Sequence, residues 1–300
     1  MTGSAQQGRW IALLAAVALV AAAAVYLATE LIGGAGDAHA KGRKGVTLAS
    51  KTYTLSEADQ KQRLTVTCPG HRIPFGGGMT SNPPPTQGTG EGAYPHSYER
   101  LGVQHGYHVT AVLYDPSKGS TTPRDVTLQV LCGPKLGHMT PPHTTVNLAA
   151  GETKSAVAKC PGQRHLIGGG FQRTDFTSKG GDYVTESRAI SSMAWRVTGH
   201  AFGAFGGEMT AIAYCQHSRK PLVTEVSGQT SIDPHQTATA QTSTCPGGRK
   251  LVFGGFSTDP VGSTFFTNGG WAADGSQAGS GFNDSDSPST LTVYGYCLKA

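Results

Sequence analysis

One twelve-residue motif occurs three times in this chain and limits what it can fold into. Cys68 opens CPGHRIPFGGGM, Cys160 opens CPGQRHLIGGGF and Cys245 opens CPGGRKLVFGGF, which gives the shared pattern C-P-G-x-R-x-x-x-(G or F)-G-G-(M or F). The starts lie 92 and 85 residues apart. Each copy also closes on a cysteine: DVTLQVLC at Cys132, EMTAIAYC at Cys215 and TLTVYGYC at Cys297. Between the landmarks sits an aromatic-centred segment, GYHVTAVLY around Tyr107, AWRVTGHAF at Trp195 and GWAADGSQA at Trp271. A repeat of this kind is one supersecondary unit that buries its apolar face by packing on its neighbours. The repeats run over 47–135, 139–220 and 222–300, with short Pro- or Gly-bearing junctions that leave no room for flexible linkers.

Each repeat reads as four or five strands. Glycine is abundant, at 42 residues, and only 14% of residues are charged, while Thr, Ser and Val runs suit strands and turns better than helices. The CPG turn reverses the chain, a glycine-bearing strand follows, and a long loop leads to the aromatic strand and then to the closing strand. By the period of two, Ala156 and Ala158 share a face with Cys160, and Ala211 and Ala213 share one with Cys215. The two cysteines of a repeat can therefore meet on neighbouring strands. Six cysteines allow fifteen pairings. Repeat symmetry selects Cys68–Cys132, Cys160–Cys215 and Cys245–Cys297, each stabilising the fold by about 4 kcal/mol in the chain-entropy model.

The N-terminus points outside the cytoplasm. Ile11 to Ala28 are eighteen residues without a charge, Arg9 precedes them, and Ala38-His39-Ala40 has the small-x-small form of a signal-peptidase site. Two readings stand. Residues 1–40 are a cleaved secretory signal, or residues 11–28 remain as one hydrophobic helical anchor, being close to the roughly 20 needed to span a bilayer. Either way residues 41–300 form an extracytoplasmic β domain, secreted or held at the membrane with its body outside, and an even cysteine count suits that compartment.

The CPG and glycine segment, the aromatic strand and the closing Cys strand resemble a repeat found in many exported bacterial proteins of unknown function. More distantly, a threefold set of such β repeats is similar to the vitelline membrane outer layer family. That resemblance implies a β-prism, with each repeat supplying one four-stranded sheet around a pseudo-threefold axis. Side-by-side packing of three small β units, or a sandwich, remains open. The third copy departs from the pattern with Phe253 where the others have Gly76 and Gly168.

The motifs carry little chemistry. The triplets Gly76–Gly78 and Gly168–Gly170, and the pair Gly254-Gly255, lack the Lys-Ser/Thr and the helix of a phosphate loop and read as strand glycines at a close backbone approach. Arg72, Arg164 and Arg249 recur at the fifth motif position. They read either as a symmetric anion site or as turn arginines bonding loop carbonyls in each copy. Eleven histidines are scattered without metal spacing, and Asn283-Asp284-Ser285-Asp286-Ser287 lacks the closing acid of a calcium loop. No metal or cofactor is expected. The formal charge of +5 rises to +6 without residues 1–40 and forms no basic run, which argues against nucleic acid and leaves only a weak attraction to anionic envelope polymers or lipid head groups.

No strained nucleophile elbow occurs, and loop carboxylates such as Asp175, Asp182 and Glu186 do not recur. The segments between the motifs hold aromatics that could bind a ligand: Tyr94 and Tyr98 in 80–104, Phe176 and Tyr183 in 172–194, and Phe265 and Phe266 in 257–270. Read as loops, they either stack on sugars or fold back as local cores. The leading expectation is a non-enzymatic cell-envelope or secreted protein that binds a surface glycan through these loops. The alternatives are a purely structural envelope component and a secreted hydrolase.

Overall fold

The computed structural model describes residues 45–300 other than 59–60, 88–89, 102–105, 115–121, 135–140, 174–175, 178–179, 273 and 300. The expected signal or anchor at 1–40 and the hydrophobic helix at 11–28 lie outside the described residues. Among those described, no helix is long and apolar enough to cross a membrane.

The described body is all-β. The first repeat forms β1 (Thr47–Leu55), β2 (Lys61–Thr67), β3 (Ile73–Asn82), β4 (Gly92–Leu101), β5 (Gly106–Tyr114) and β6 (Arg124–Gly133). The second forms β7 (His143–Leu148), β8 (Thr153–Lys159), β9 (Arg164–Arg173), the short β10 (Phe176–Thr177), β11 (Gly180–Ser191), β12 (Ala194–Gly203) and β13 (Gly207–His217). The third forms β14 (Val223–Ile232), β15 (Thr237–Gln241), β16 (Lys250–Asp259), β17 (Thr264–Trp271), β18 (Gln277–Asn283) and β19 (Ser289–Leu298). Each repeat thus has six long strands, not four or five. The extra strands are β4, β11 and β17, in segments that the sequence presents as loops.

No repeat owns a sheet, contrary to the one-sheet-per-repeat expectation. Sheet I runs β1-β6-β3-β17-β18-β15, sheet II runs β2-β5-β4-β9-β13-β7, and sheet III runs β14-β19-β16-β11-β12-β8 with β10 beside β11. The first repeat gives three strands each to sheets I and II, the second to II and III, and the third to III and I. All the ladders are antiparallel, which suits chains joined by short turns. The sharing is cyclic, so a repeat taken alone leaves two half-sheets with open edges.

This placement changes the meaning of the disulfides. The expected pairs all form: Cys68–Cys132, Cys160–Cys215 and Cys245–Cys297. The first cysteine of each follows β2, β8 or β15, and the second lies in β6, β13 or β19. The partners are therefore not on neighbouring strands of one sheet. Each bridge ties two different sheets together within one repeat. The inward faces are those the alternation predicts, since Ala156, Ala158, Ala211, Ala213 and Cys215 are all buried.

Consecutive strands also meet where one sheet gives way to the next. Tyr53 in β1 donates its hydroxyl to the Thr65 carbonyl in β2 and accepts the Thr65 N–H at 3.0 Å. Thr144 in β7 donates to the Val157 carbonyl in β8 at 2.9 Å. A Cβ on Gly228 in β14 would lie 1.9 Å from the Gln241 carbonyl in β15. Edge-strand backbone groups are thereby covered from inside the chain rather than left open to another molecule.

Candidate functional site

The repeated glycines form the three seams between repeats. Among the described residues the two half-repeats inside each sheet meet at one or two register pairs, Met79 with Gly269, Tyr98 with Phe171, and Ser187 with Phe256 beside Glu186 with Ser257. The last glycine of each motif makes that approach possible. A Cβ on Gly78 would lie 2.0 Å from the Gly269 carbonyl, on Gly170 2.1 Å from that of Tyr98, and on Gly255 2.6 Å from that of Ser187. A side chain from the closing strand then caps a backbone N–H across each seam. Tyr214 accepts from Arg100 at 2.8 Å, Tyr296 from Ala189 at 2.8 Å, and Gln129 from Trp271 at 3.1 Å.

The middle glycine receives a side chain. Tyr107 covers Gly77, Trp195 covers Gly169, and Gln277 covers Gly254. Gln277 on β18 is therefore the counterpart of Tyr107 and Trp195, which corrects the alignment on Trp271. Trp271 instead ends β17 in a small cluster with Leu131 and Leu251.

The first glycine explains the departure at Phe253. A Cβ on Gly76 would lie 2.4 Å from the Phe253 Cβ, and one on Gly168 would lie 3.6 Å from its ring. Phe253 thus fills the space a side chain at Gly76 would need, whereas a Cβ on Gly168 would first meet the Phe75 carbonyl, at 3.0 Å. Phe253 stacks on Tyr296 with ring centres 4.3 Å apart and touches Trp195 at 5.6 Å. A cavity of about 40 Å³ remains, lined by the glycines with Tyr98, Tyr107 and Trp195, enough for about one to three waters.

The aromatics expected as ligand contacts are mostly interior. Tyr94, Tyr98, Tyr183 and Phe266 are buried and Phe265 is half-buried. Phe176 is in β10, paired with Gly181, and its side chain lies outside the described part. Tyr94, Tyr183 and Phe265 come from equivalent strands of three repeats and meet at one end of the body. Phe265 lies 5.8 Å from Tyr94 and 4.2 Å from Tyr183. Tyr94 bonds the Gly90 carbonyl and Tyr183 that of Gly262. Burial raises the pKa of both hydroxyls. Tyr94 and Tyr183 are thus held in the core, and Phe265 packs on both from a half-buried position.

Each motif arginine lies at its own CPG turn. Arg72 donates to the Gly45 carbonyl, to Thr47 Oγ1 at 3.2 Å and to the Cys132 carbonyl at 3.3 Å, the bonding expected of a turn arginine. Arg164 and Arg249 are half-buried beside their own turns. Among the described residues no three His, Cys, Asp or Glu side chains are grouped to hold a metal ion. The Asn283–Ser287 segment is a self-bonded turn, in which Asn283 Oδ1 accepts from Ser285 N at 3.0 Å and its amide donates to the Ser287 carbonyl at 2.8 Å.

Sequence reasoning missed the buried polar side chains and their partners. Arg173, at the aromatic end, donates to the Asp182 carbonyl and to that of Pro95 at 2.9 Å. Burial lowers its pKa to about 10, with Asp182 opposing the fall. On sheet III, Glu186 accepts from Arg196 at 2.6 Å, Arg188 at 2.6 Å and Thr198 at 2.7 Å. Burial pushes this carboxyl up, but those bonds outweigh it and hold it below its ordinary range. On sheet II, buried His108 pairs with Glu99, which also accepts from Gln172. Glu186 and Asp182 stand out in the sequence only as loop acids, and no local pattern marks them as paired.

The outer faces carry a feature common to all three sheets. At one level a row of polar side chains crosses six strands, Thr52-Thr127-Thr80-Asn268-Ser280-Thr239 on sheet I. Its counterparts are Thr145-Thr210-Gln172-Ser97-Thr110-Arg63 on sheet II and Gln229-Thr292-Ser257-Glu186-Thr198-Ser155 on sheet III. Neighbours bond along the rows, for example Thr145 with Thr210 at 2.7 Å and Thr52 with Thr127 at 2.9 Å. Five strand spacings make each row about 24 Å long. No protein-family model matches the chain, and no curated protein matches it.

Proposed function

We propose that this chain is a non-enzymatic, exported cell-envelope protein, in which a prism-like body binds glycan along its outer polar rows. The prism reading draws support from the cyclic strand sharing, the corner contacts and the convergence of Gly76 and Gly168 on Phe253. It keeps the distant likeness to the vitelline membrane outer layer family, with sheets shared between repeats. Three sheet-tying disulfides suit an oxidising compartment outside the cytoplasm.

The observation that carries the binding reading is the equivalent polar row on every sheet, made of hydroxyl and amide side chains apart from Arg63 and Glu186. Such side chains both donate and accept, as sugar hydroxyls require. A row crossing six strands offers successive partners to an extended chain. The test is a glycan array with the parent protein and with a Thr127→Val, Thr210→Val, Ser257→Val variant, whose β-branched replacements suit strands. Binding by the parent that the variant loses supports the reading. No binding by the parent sinks it. The second reading, a purely structural envelope component, is favoured by the use of Tyr94, Tyr98, Tyr183 and Phe266 in the core.

A further inference from the structure

Strand register divides the body into two ends. At one lie the CPG turns and the C-terminal ends of β6, β13 and β19. At the other lie the β1–β2, β7–β8 and β14–β15 turns and the starts of β4, β6 and β13.

Charge is sorted between these ends. Among the described residues the CPG end carries nine lysines and arginines: Arg72 and Arg100 from the first repeat, Lys159, Arg164, Arg219 and Lys220 from the second, and Arg249, Lys250 and Lys299 from the third. Three carboxylates accompany them, Glu99, Glu225 and Asp274. The opposite end has four cations, Lys61, Arg124, Lys154 and Arg173, against ten carboxylates that include Glu57, Glu152, Asp233, Asp259 and Asp286. Among the described residues one end therefore has an excess of six positive charges and the other of six negative, with Lys51, Arg63, Arg188, Arg196 and Glu186 lying between them. Lys159, Arg219, Lys220, Lys250 and Lys299 are exposed, and none of the five is ion-paired to a described residue.

We propose that the CPG end docks on an anionic phospholipid surface. All three repeats contribute cations around that end, a distribution that suits a plane better than a single extended polymer lying in a groove. The chain enters the same end. Gly45, where the described chain starts, is bonded by Arg72 of the first CPG turn. Each cation near an anionic leaflet strengthens binding on the order of fivefold, within about a Debye length of 8–10 Å. The acidic end is repelled by the same field, so the charge separation sets orientation as well as attraction. The glycan reading concerns the sheet faces and stands or falls separately.

The test is hydrogen exchange on the full chain in nanodiscs of phosphatidylcholine alone or with phosphatidylglycerol. The expected result is slowed exchange in 69–72, 161–165 and 246–250 only in the anionic discs, abolished at 500 mM salt. A Lys159→Glu, Lys250→Glu, Lys299→Glu variant should lose that protection, whereas Lys51→Glu, Lys61→Glu, Lys154→Glu, with the same change in net charge, should keep it. Unchanged protection of strand interiors shows that each variant is folded. Equal exchange in the two discs, protection at the acidic end, or equal loss in both variants would overturn the proposal. So would protection by soluble poly(glycerol phosphate) without protection by the anionic discs.

Discussion

Gly170→Ala should open the seam between β4 and β9. The added methyl would sit 2.1 Å from the Tyr98 carbonyl, more than 1 Å inside ordinary contact. The obstacle is backbone, which no rotamer change can move. The two strands share one register pair, Tyr98 with Phe171, and one capping bond, Arg100 N–H to Tyr214 at 2.8 Å. Overpacking of this kind costs about 1–3 kcal/mol, and a lost hydrogen bond adds about 0.5–1.5 kcal/mol. Replacing glycine within a strand returns about 0.5–1 kcal/mol of backbone entropy. The net loss centres on about 2 kcal/mol, within about 0.5–4 kcal/mol. With a urea slope of about 2–3 kcal/mol/M, the midpoint falls by about 1 M. The assay is urea unfolding of the oxidised protein, followed by fluorescence from Trp195 and its neighbours. Gly45→Ala is the control, because a Cβ at that position would meet nothing within 4 Å, and it should leave the midpoint nearly unchanged. Gly255→Ala, at 2.6 Å from the Ser187 carbonyl, should fall between them. A Gly170→Ala midpoint equal to that of Gly45→Ala would refute the seam argument.

Three further outcomes follow from the same contacts. Phe253→Ala should lose about 3–5 kcal/mol in the same urea assay, because it empties the point where the motifs converge; a loss below about 1 kcal/mol would mean that Phe253 does not fill it. Reduction should remove about 4 kcal/mol per bridge from closed loops of 64, 55 and 52 residues, in the chain-entropy model, and an unfolding midpoint insensitive to dithiothreitol would contradict this. Glu186 has a lowered folded pKa, so its contribution is present above the ordinary glutamate value of about 4.3 and is lost as pH falls through the lower folded value. Glu186→Gln should therefore cost about 1–2 kcal/mol at pH 7, a figure reduced because both arginines are partly exposed. The gap from the parent should narrow as pH falls below the ordinary glutamate value of about 4.3, and a gap that widens in acid would reverse the assigned sign.

Fold class and disulfide pairing were legible in the sequence because both are local or symmetric properties. Alternation places Ala156, Ala158, Ala211 and Ala213 inward, and repetition pairs each cysteine with the one that closes its copy. Sheet membership was not legible, because a period of two gives the face of a strand but not its partner. The seam partners Tyr98 and Phe171 belong to different repeats and share no local signal. Strand β4 was hidden by its Pro95 and by a register shift between Pro95 and Ser97, which break the alternation. Reading β4 as a loop made Tyr94 and Tyr98 look like surface contacts. The charge separation was invisible for a related reason. Lys159, Lys250 and Lys299 are far apart in sequence and share an end only through the register.

The cyclic sharing of sheets between repeats is tested most directly by amide–amide nuclear Overhauser contacts in the perdeuterated, oxidised protein. Cross-peaks between backbone amides at all three seams, β3 with β17, β4 with β9 and β11 with β16, are expected. Cross-peaks confined within each repeat, with none joining Tyr98 to Phe171 or Ser187 to Phe256, would contradict it.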